Sequence, residues 1–270
     1  MKYAICLQVF IPMRTEAKEA AEMSSQLLFG DTFRVLKELP RWYYVVRDYD
    51  GDEGWIDWKT ATLLDEDRYN IYLKASANAP LVRQPYVPVT MTENGHSGQT
   101  HLSWGSRIFG LDDIGVYFKM EHLRFDIPPT SYIQPVDVTT MSRKACSKYL
   151  LQQAQLLLNI PYLWGGVSAF GLDCSGFIQT LFRFIGITLP RNSSRQFEVG
   201  REVPFDQKLE CDLAFFGHEG RVSHVGLVAD RNRILHASGL LHFDELREEG
   251  IYSERRGEIT HQLIAIKRLF

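Results

Sequence analysis

The sequence predicts an α+β protein whose first half is all-β and whose second half opens with helices and closes with strands. Three observations carry this reading. Short apolar or alternating runs divided by turn residues fill positions 1–135. At Ser142 the apolar spacing changes to three and four residues, and after position 210 it returns to strand-like runs. Helices first and strands later within one segment is the pattern of an α+β domain.

The first strands are Ser25–Phe29, Phe33–Leu39 and Trp42–Arg47, separated by Gly30-Asp31, Pro40-Arg41 and Asp50-Gly51-Asp52. Gly54-Trp55-Ile56-Asp57-Trp58 opens another, and strands this short and this regularly spaced suggest a small antiparallel barrel. The pattern continues through Leu81-Val82, Val87–Thr90, Arg107–Phe109 and Val116–Phe118, where repeated prolines exclude long helices. Pro128-Pro129 marks a linker. Cys146, Tyr149, Leu150, Ala154, Leu157 and Leu158 then form the apolar face of a helix, stopped at Asn159-Ile160-Pro161. A second helix follows Asp173, with Phe177, Ile178, Leu181, Phe182 and Ile185 on one face and Gly186 at its end. Strands are expected at Leu213–Phe216, Val225–Val228, Ile234–Ala237 and Leu263–Ile266, while Glu245–Glu249 reads as a solvated helix face.

Composition narrows the function. The 270 residues are 45% hydrophobic and 23% charged, which excludes disorder over most of the chain. The net charge of −3 argues against nucleic-acid binding through bulk positive charge. No run reaches the ~18 apolar residues of a membrane span. Met1–Leu7 is read as a strand and not a secretory signal. A cytoplasmic location is expected if Met1 is the native start, and a periplasmic or exported one if the sequence has been trimmed. The cysteines at 6, 146, 174 and 211 form no CxxC pair and no histidines are spaced HxxxH, so free thiols, no metal site and no cofactor are expected.

Cys174 is the thiol that sequence context singles out. It opens a helix in Asp173-Cys174-Ser175-Gly176-Phe177, where the helix dipole and free N–H groups favour a thiolate and can serve an oxyanion. The plainer alternative is a core cysteine beside an Asp173 cap. Alkylation separates the two: an activated thiolate reacts with iodoacetamide well below pH 8. A nucleophilic cysteine needs a base and an orienting group. His224 begins one apolar strand and His236 ends the next, and antiparallel pairing through the Asp230-Arg231-Asn232 turn would put both on one face. His96, His101 and His218 are read as surface residues. The aromatic group Trp42, Tyr43, Tyr44, Trp55 and Trp58 is read as barrel core and packing.

The ordered motifs Pro161-Tyr162-Leu163-Trp164-Gly165-Gly166, Asp173-Cys174-Ser175-Gly176-Phe177, Leu189–Gln196, Asp212–Phe216, Ser223-His224-Val225-Gly226 and Leu235-His236-Ala237-Ser238 resemble those of NlpC/P60 cysteine peptidases. Met13–Glu16, Gln26–Gly30 and Gly54-Trp55-Ile56 resemble a bacterial SH3-like domain. The resemblance implies SH3-like domains at 1–66 and, more divergent, at 67–134, with a papain-like catalytic domain at 135–270. It implies hydrolysis of the γ-D-glutamyl–diamino acid bond of peptidoglycan-derived peptides, with Cys174 as nucleophile, His224 as base and His236 orienting it. Tyr162 would stabilise the oxyanion, and Asp173 and Ser175 would line the cleft. Cys211 stands where the family commonly has Gly.

Arg191 could pair with a substrate carboxylate or bond loop carbonyls. If the first domain closes one end of the cleft, Glu22, Asp52 and Glu53 could hold a free substrate amine, which suits recycling of peptides with an N-terminal L-Ala. As exposed acids they equally need no such role. Two other functions remain open: an amidase or acyltransferase on the same thiol–histidine scaffold, or a non-catalytic wall-binding module.

Overall fold

The computed structural model describes all 270 residues, which divide into two compact units, Met1–Pro135 and Val136–Phe270. In the first unit, β1 (Lys2–Ile5), β2 (Phe10–Arg14), β3 (Met23–Leu28), β4 (Thr32–Leu39), β5 (Trp42–Arg47), β6 (Glu53–Asp57) and β7 (Thr62–Leu64) form one antiparallel sheet in the order β3-β2-β6-β5-β4-β1-β7. The Pro40-Arg41 turn pairs Leu39 with Trp42 in the β4–β5 hairpin. Helix α1 (Glu66–Ala75) follows, capped by Asp65, which accepts from the Arg68 N–H at 2.8 Å. The sequence reading missed this helix because only Tyr69 and Tyr72 are buried on it, too few apolar positions to declare a period.

Next come β8 (Leu81–Val82), β9 (Tyr86–Glu93), β10 (His96–Ser103), β11 (Tyr117–Met120), β12 (Leu123–Asp126) and β13 (Tyr132–Ile133), with a four-stranded sheet ordered β10-β9-β12-β11. Alternation along β1 explains how this half joins the first. Ala4 packs among Ile11, Leu27, Phe33 and Val45. Its neighbour Ile5 points to the opposite face and joins Phe29, Val87, Leu102, Phe118 and Phe125. Residues 1–66 and 67–134 therefore share a core. Gly30, at φ +84°, crosses so close to Arg107 that a Cβ there would meet its carbonyl oxygen at 2.4 Å. Of the five aromatics read as core, only Tyr43 is buried; Trp58 is exposed, and Tyr44 and Trp55 lean on each other at 5.1 Å as a half-exposed pair.

The second unit contains α2 (Arg143–Gln155), a short hairpin of β14 (Val167–Ser168) and β15 (Gly171–Leu172), α3 (Cys174–Arg183) and α4 (Ser193–Gln196). An antiparallel sheet completes it: β16 (Arg201–Val203), β17 (Leu213–His218), β18 (Arg221–Val228), β19 (Arg233–Ser238), β20 (Leu240–Arg247), β21 (Gly250–Ser253) and β22 (Glu258–Arg268). Its order is β16-β22-β17-β18-β19-β20-β21, and β21 also pairs with β22. Glu245–Glu249 is not a helix face. Glu245 and Arg247 lie on β20, opposite Tyr252 and Gly250, and Glu248-Glu249 make the turn between the strands. Their acidity reflects an exposed hairpin end. No helix is long and apolar enough to cross a membrane.

One buried ion pair anchors the first sheet. The fully buried Arg47 forms a two-pronged bond to Asp50 and donates to the Gln26 carbonyl at 2.7 Å. Arg47→Met leaves the Asp50 carboxylate buried without this partner, which typically costs ~3–5 kcal/mol. Urea unfolding of the full chain is expected to show that loss. A change below ~1 kcal/mol would mean that Asp50 finds another partner.

Candidate active site

Helix α3 is placed by its cap. Asp173 Oδ1 accepts from the Gly176 N–H at 2.7 Å, and Oδ2 accepts from the Gly165 N–H at 2.9 Å, so one carboxylate ties the helix start to the preceding loop. Gly176 is required where that loop crosses the first helical turn: a Cβ would stand 2.2 Å from the Gly166 carbonyl oxygen. Cys174, the first helical residue, is almost wholly buried. The backbone N–H groups of Val225 and Ser175 favour its thiolate form. Because Val225 follows His224, this contact brings the thiol to the middle of β18.

The histidines meet by strand register. Leu227 pairs with Leu235, so residues 224 and 236 share one face as diagonal neighbours. His224 Nε2 lies 2.9 Å from His236 Nδ1. His236 in turn stands directly opposite His242 on β20. Asp244, two residues on and therefore on the same face, brings Oδ2 to 3.2 Å from His236 Nε2 and 3.1 Å from His242 Nε2. His261 stacks on His224 with ring centres 4.4 Å apart.

Charge logic assigns the protons. Burial opposes ionisation of Asp244, but the hydrogen bonds and nearby rings of His236 and His242 outweigh it and hold the carboxyl below its ordinary range. An ionised carboxylate only accepts, so His236 donates from Nε2. Burial keeps His236 neutral, its value lowered despite Asp244. Its Nδ1 is then a lone pair that accepts from His224 Nε2–H. Burial and the surrounding rings of His236, His261 and His242 push His224 well below the usual imidazole value. The remaining His224 nitrogen, Nδ1, is a free base.

The thiol behaves differently from the sequence expectation. Burial, with the nearby Asp173 charge, pushes Cys174 up to about 11 and outweighs the helix N–H groups. The resting pair is thus a neutral thiol and a neutral imidazole. Tyr162 is held as a phenol, pushed up to about 12 by burial and by the proximity of Cys174 and Asp173. It keeps an O–H to donate near the sulfur.

Three residues expected at the cleft are bonded to one another. Arg191 binds both oxygens of Asp173 and donates to Ser175 Oγ at 3.0 Å, while Ser175 Oγ donates to Asp173 Oδ1 at 3.2 Å. All three are buried, and the Arg191 fork is engaged by a protein carboxylate. They position the loop and helix that carry Cys174. Glu22, Asp52 and Glu53 lie in the N-terminal unit, where Glu53 accepts from the Tyr44 hydroxyl at 2.9 Å. Asp244, His242 and His261 escaped the sequence reading. The alternation His236-x-Ser238-Gly239-Leu240-x-His242-x-Asp244, folded at Gly239 (φ +75°), was the available signal.

Fold and site together define a class: an α+β domain with a helix-opening thiol against a histidine-bearing antiparallel sheet, preceded by an SH3-like all-β domain. Residues 159–258 match the NlpC/P60 family and residues 13–59 the bacterial dipeptidyl-peptidase Sh3 domain. The chain carries an NlpC/P60 domain behind a bacterial SH3 domain. A γ-D-glutamyl-L-lysine dipeptidyl-peptidase of Bacillus subtilis (strain 168) is 36% identical over 110 residues, 39% of this chain and 37% of that protein. One of Bacillus cereus is 27% identical over 237 residues, covering 81% of this chain and 68% of its own length. The crystal structure of an NlpC/P60 family protein from Bacillus cereus superposes with a TM-score of 0.79 over 98% of this chain and 99% of that one, at 18% identity, and shows the shared fold.

Two outcomes follow from the neutral pair. Because His224 stays neutral into acid, the acid limb of kcat/KM is expected below the ordinary imidazole value of ~6.5; a limb above pH 7 would contradict it. Alkylation of Cys174 by iodoacetamide should rise steadily above pH 8, and a plateau below pH 7 would show an ion pair instead.

Proposed function

We propose that the chain is a cysteine peptidase that cuts the γ-D-glutamyl–diamino acid bond of peptidoglycan-derived peptides, preferring those with a free N-terminal L-Ala, as in recycling of wall peptides. The observation that carries the chemistry is the 2.9 Å His224–His236 contact, which leaves a lone pair on His224 Nδ1, one residue from the Val225 N–H that meets the thiol. The bond specificity is supported by the two Bacillus relatives, each named a γ-D-glutamyl-L-lysine dipeptidyl-peptidase. A dipeptidyl-peptidase releases a dipeptide from a free end, and the B. cereus relative aligns across most of this chain.

The steps follow from the geometry. His224 Nδ1 takes the Cys174 proton as sulfur attacks the carbonyl carbon. The Tyr162 hydroxyl and the N-terminal amides of α3 stabilise the oxyanion. His224 then gives its proton to the departing amine, and water, activated by the same nitrogen, releases the acyl group from sulfur. Asp244 and His236 hold the imidazole in the required tautomer throughout.

Incubation with L-Ala-γ-D-Glu-diaminopimelate and its N-acetylated form tests the proposal. Release of L-Ala-D-Glu is expected, and N-acetylation should lower kcat/KM at least ~10-fold if the free amine is recognised through a charge-assisted bond. Equal rates on both would remove the recycling preference. A different scissile bond would point to the amidase or acyltransferase chemistry. Cys174→Ala and His224→Ala are each expected to lower kcat by ~1,000-fold or more with the fold retained, and His236→Ala by less. Full activity in Cys174→Ala would end the cysteine mechanism.

A further inference from the structure

His236, His242 and Asp244 gather at the end of the relay farthest from the thiol. One ligand atom from each lies within 4.8 Å of the other two. Both histidine Nε2 atoms approach the same oxygen, Asp244 Oδ2, at 3.2 and 3.1 Å. Zinc bonds to imidazole and carboxylate of ~2.0–2.2 Å set ligand-to-ligand edges of roughly 3.3 Å in a tetrahedron. Two such edges are already formed.

The orientation of His242 adds an independent reason. Its Nδ1 lies 2.9 Å from the Leu240 carbonyl oxygen. A carbonyl only accepts, so the ring proton belongs there. The Nε2 therefore faces Asp244 Oδ2 across 3.1 Å, a gap that either a proton on Nε2 or a cation can bridge. A metal ion would take the place of that proton, with the ring still anchored through Nδ1. Anchoring the outer nitrogen on a backbone carbonyl is also how metal-binding histidines are held. The side chains of His242 and Asp244 keep 31% and 18% of their surface open, so an ion can arrive from solvent and complete its coordination with water.

We propose that His236, His242 and Asp244 bind a divalent transition-metal ion of the zinc class, and that binding switches off the Cys174–His224 pair by reversing the tautomers of the relay. Binding itself needs only these three residues; the switch rests on the peptidase reading given above. Ligation through Nε2 requires His236 to carry its proton on Nδ1. That N–H donates to His224 Nε2, and the His224 proton moves to Nδ1. Each neutral ring keeps one proton, so none is lost from the pair. His224 then presents an N–H to Cys174 and has no lone pair with which to take the thiol proton. The residue spacing concealed this site, because two of its ligands are joined by strand pairing across Gly239 and not by a helical interval.

Calorimetric titration of the full-length Cys174→Ala chain with zinc chloride is expected to show one site per chain. Adding His242→Gln to that background should weaken binding at least ~10-fold, since even an outer partner of a ligand carries effects of that size. No binding to Cys174→Ala, or equal affinity in the double variant, overturns the site. With native Cys174, zinc is expected to inhibit peptide hydrolysis, reversibly on adding EDTA, with half-inhibition at the dissociation constant found by calorimetry. No inhibition, or half-inhibition at a zinc concentration ten times lower, overturns the switch; the second result would place the inhibitory ion on the thiol. If the metal-free chain cuts no wall peptide, calorimetry still decides the metal site and only the peptidase reading falls.

Discussion

The hydrogen bond from His236 to Asp244 decides where the other protons of the site lie. A carboxylate that can only accept forces the proton of His236 onto Nε2, which makes Nδ1 an acceptor and forces the proton of His224 onto Nε2 in turn. The nitrogen left bare is His224 Nδ1. Each link is a consequence of antiparallel register. His236 and His242 are directly opposed, Asp244 shares their face, and His224 is a diagonal neighbour across the next strand pair. A one-residue slip anywhere in β18–β20 would turn part of the relay to the other face of the sheet.

The second constraint is the Asp173 cap. This carboxylate holds the Gly165 loop and the first turn of α3 with its two oxygens, and Arg191 neutralises it inside the fold. Its charge also works against the Cys174 thiolate. The site thus combines a well-fixed thiol with an environment that keeps it protonated at rest. Under the proposed mechanism, activation of the thiol depends on a correctly aimed lone pair on His224, a weak base in this environment, more than on a pre-formed thiolate. That dependence is why the state of the relay matters so much to the reaction.

Much of this was legible in the sequence, for identifiable reasons. Cys174 was marked by Asp173 before it and by the apolar periodicity of Phe177, Ile178 and Leu181 after it. His224 and His236 were marked by the apolar strands they flank and the Asp230-Arg231-Asn232 turn between them. Asp244 was hidden because the acidic run that follows it resembles a solvated helix, and because β20 buries only Leu241 and Leu246, whose five-residue spacing shows no strand alternation. The partner of Arg191 was hidden because a guanidinium suits any carboxylate, and local sequence does not show that Asp173, 18 residues away, binds it. The shared core of the first unit was equally hidden, since the opposite burial of Ala4 and Ile5 reports that both faces of β1 are covered but not by what.

The tautomer of His224 is the most direct measure of this account. In metal-free protein with ¹⁵N-labelled histidines, long-range proton–nitrogen spectra near pH 7 should show His224 and His236 each protonated at Nε2 and bare at Nδ1, and Asp244→Asn should disturb both rings together. A proton on His224 Nδ1 in the metal-free chain, or rings unmoved by Asp244→Asn, would contradict it.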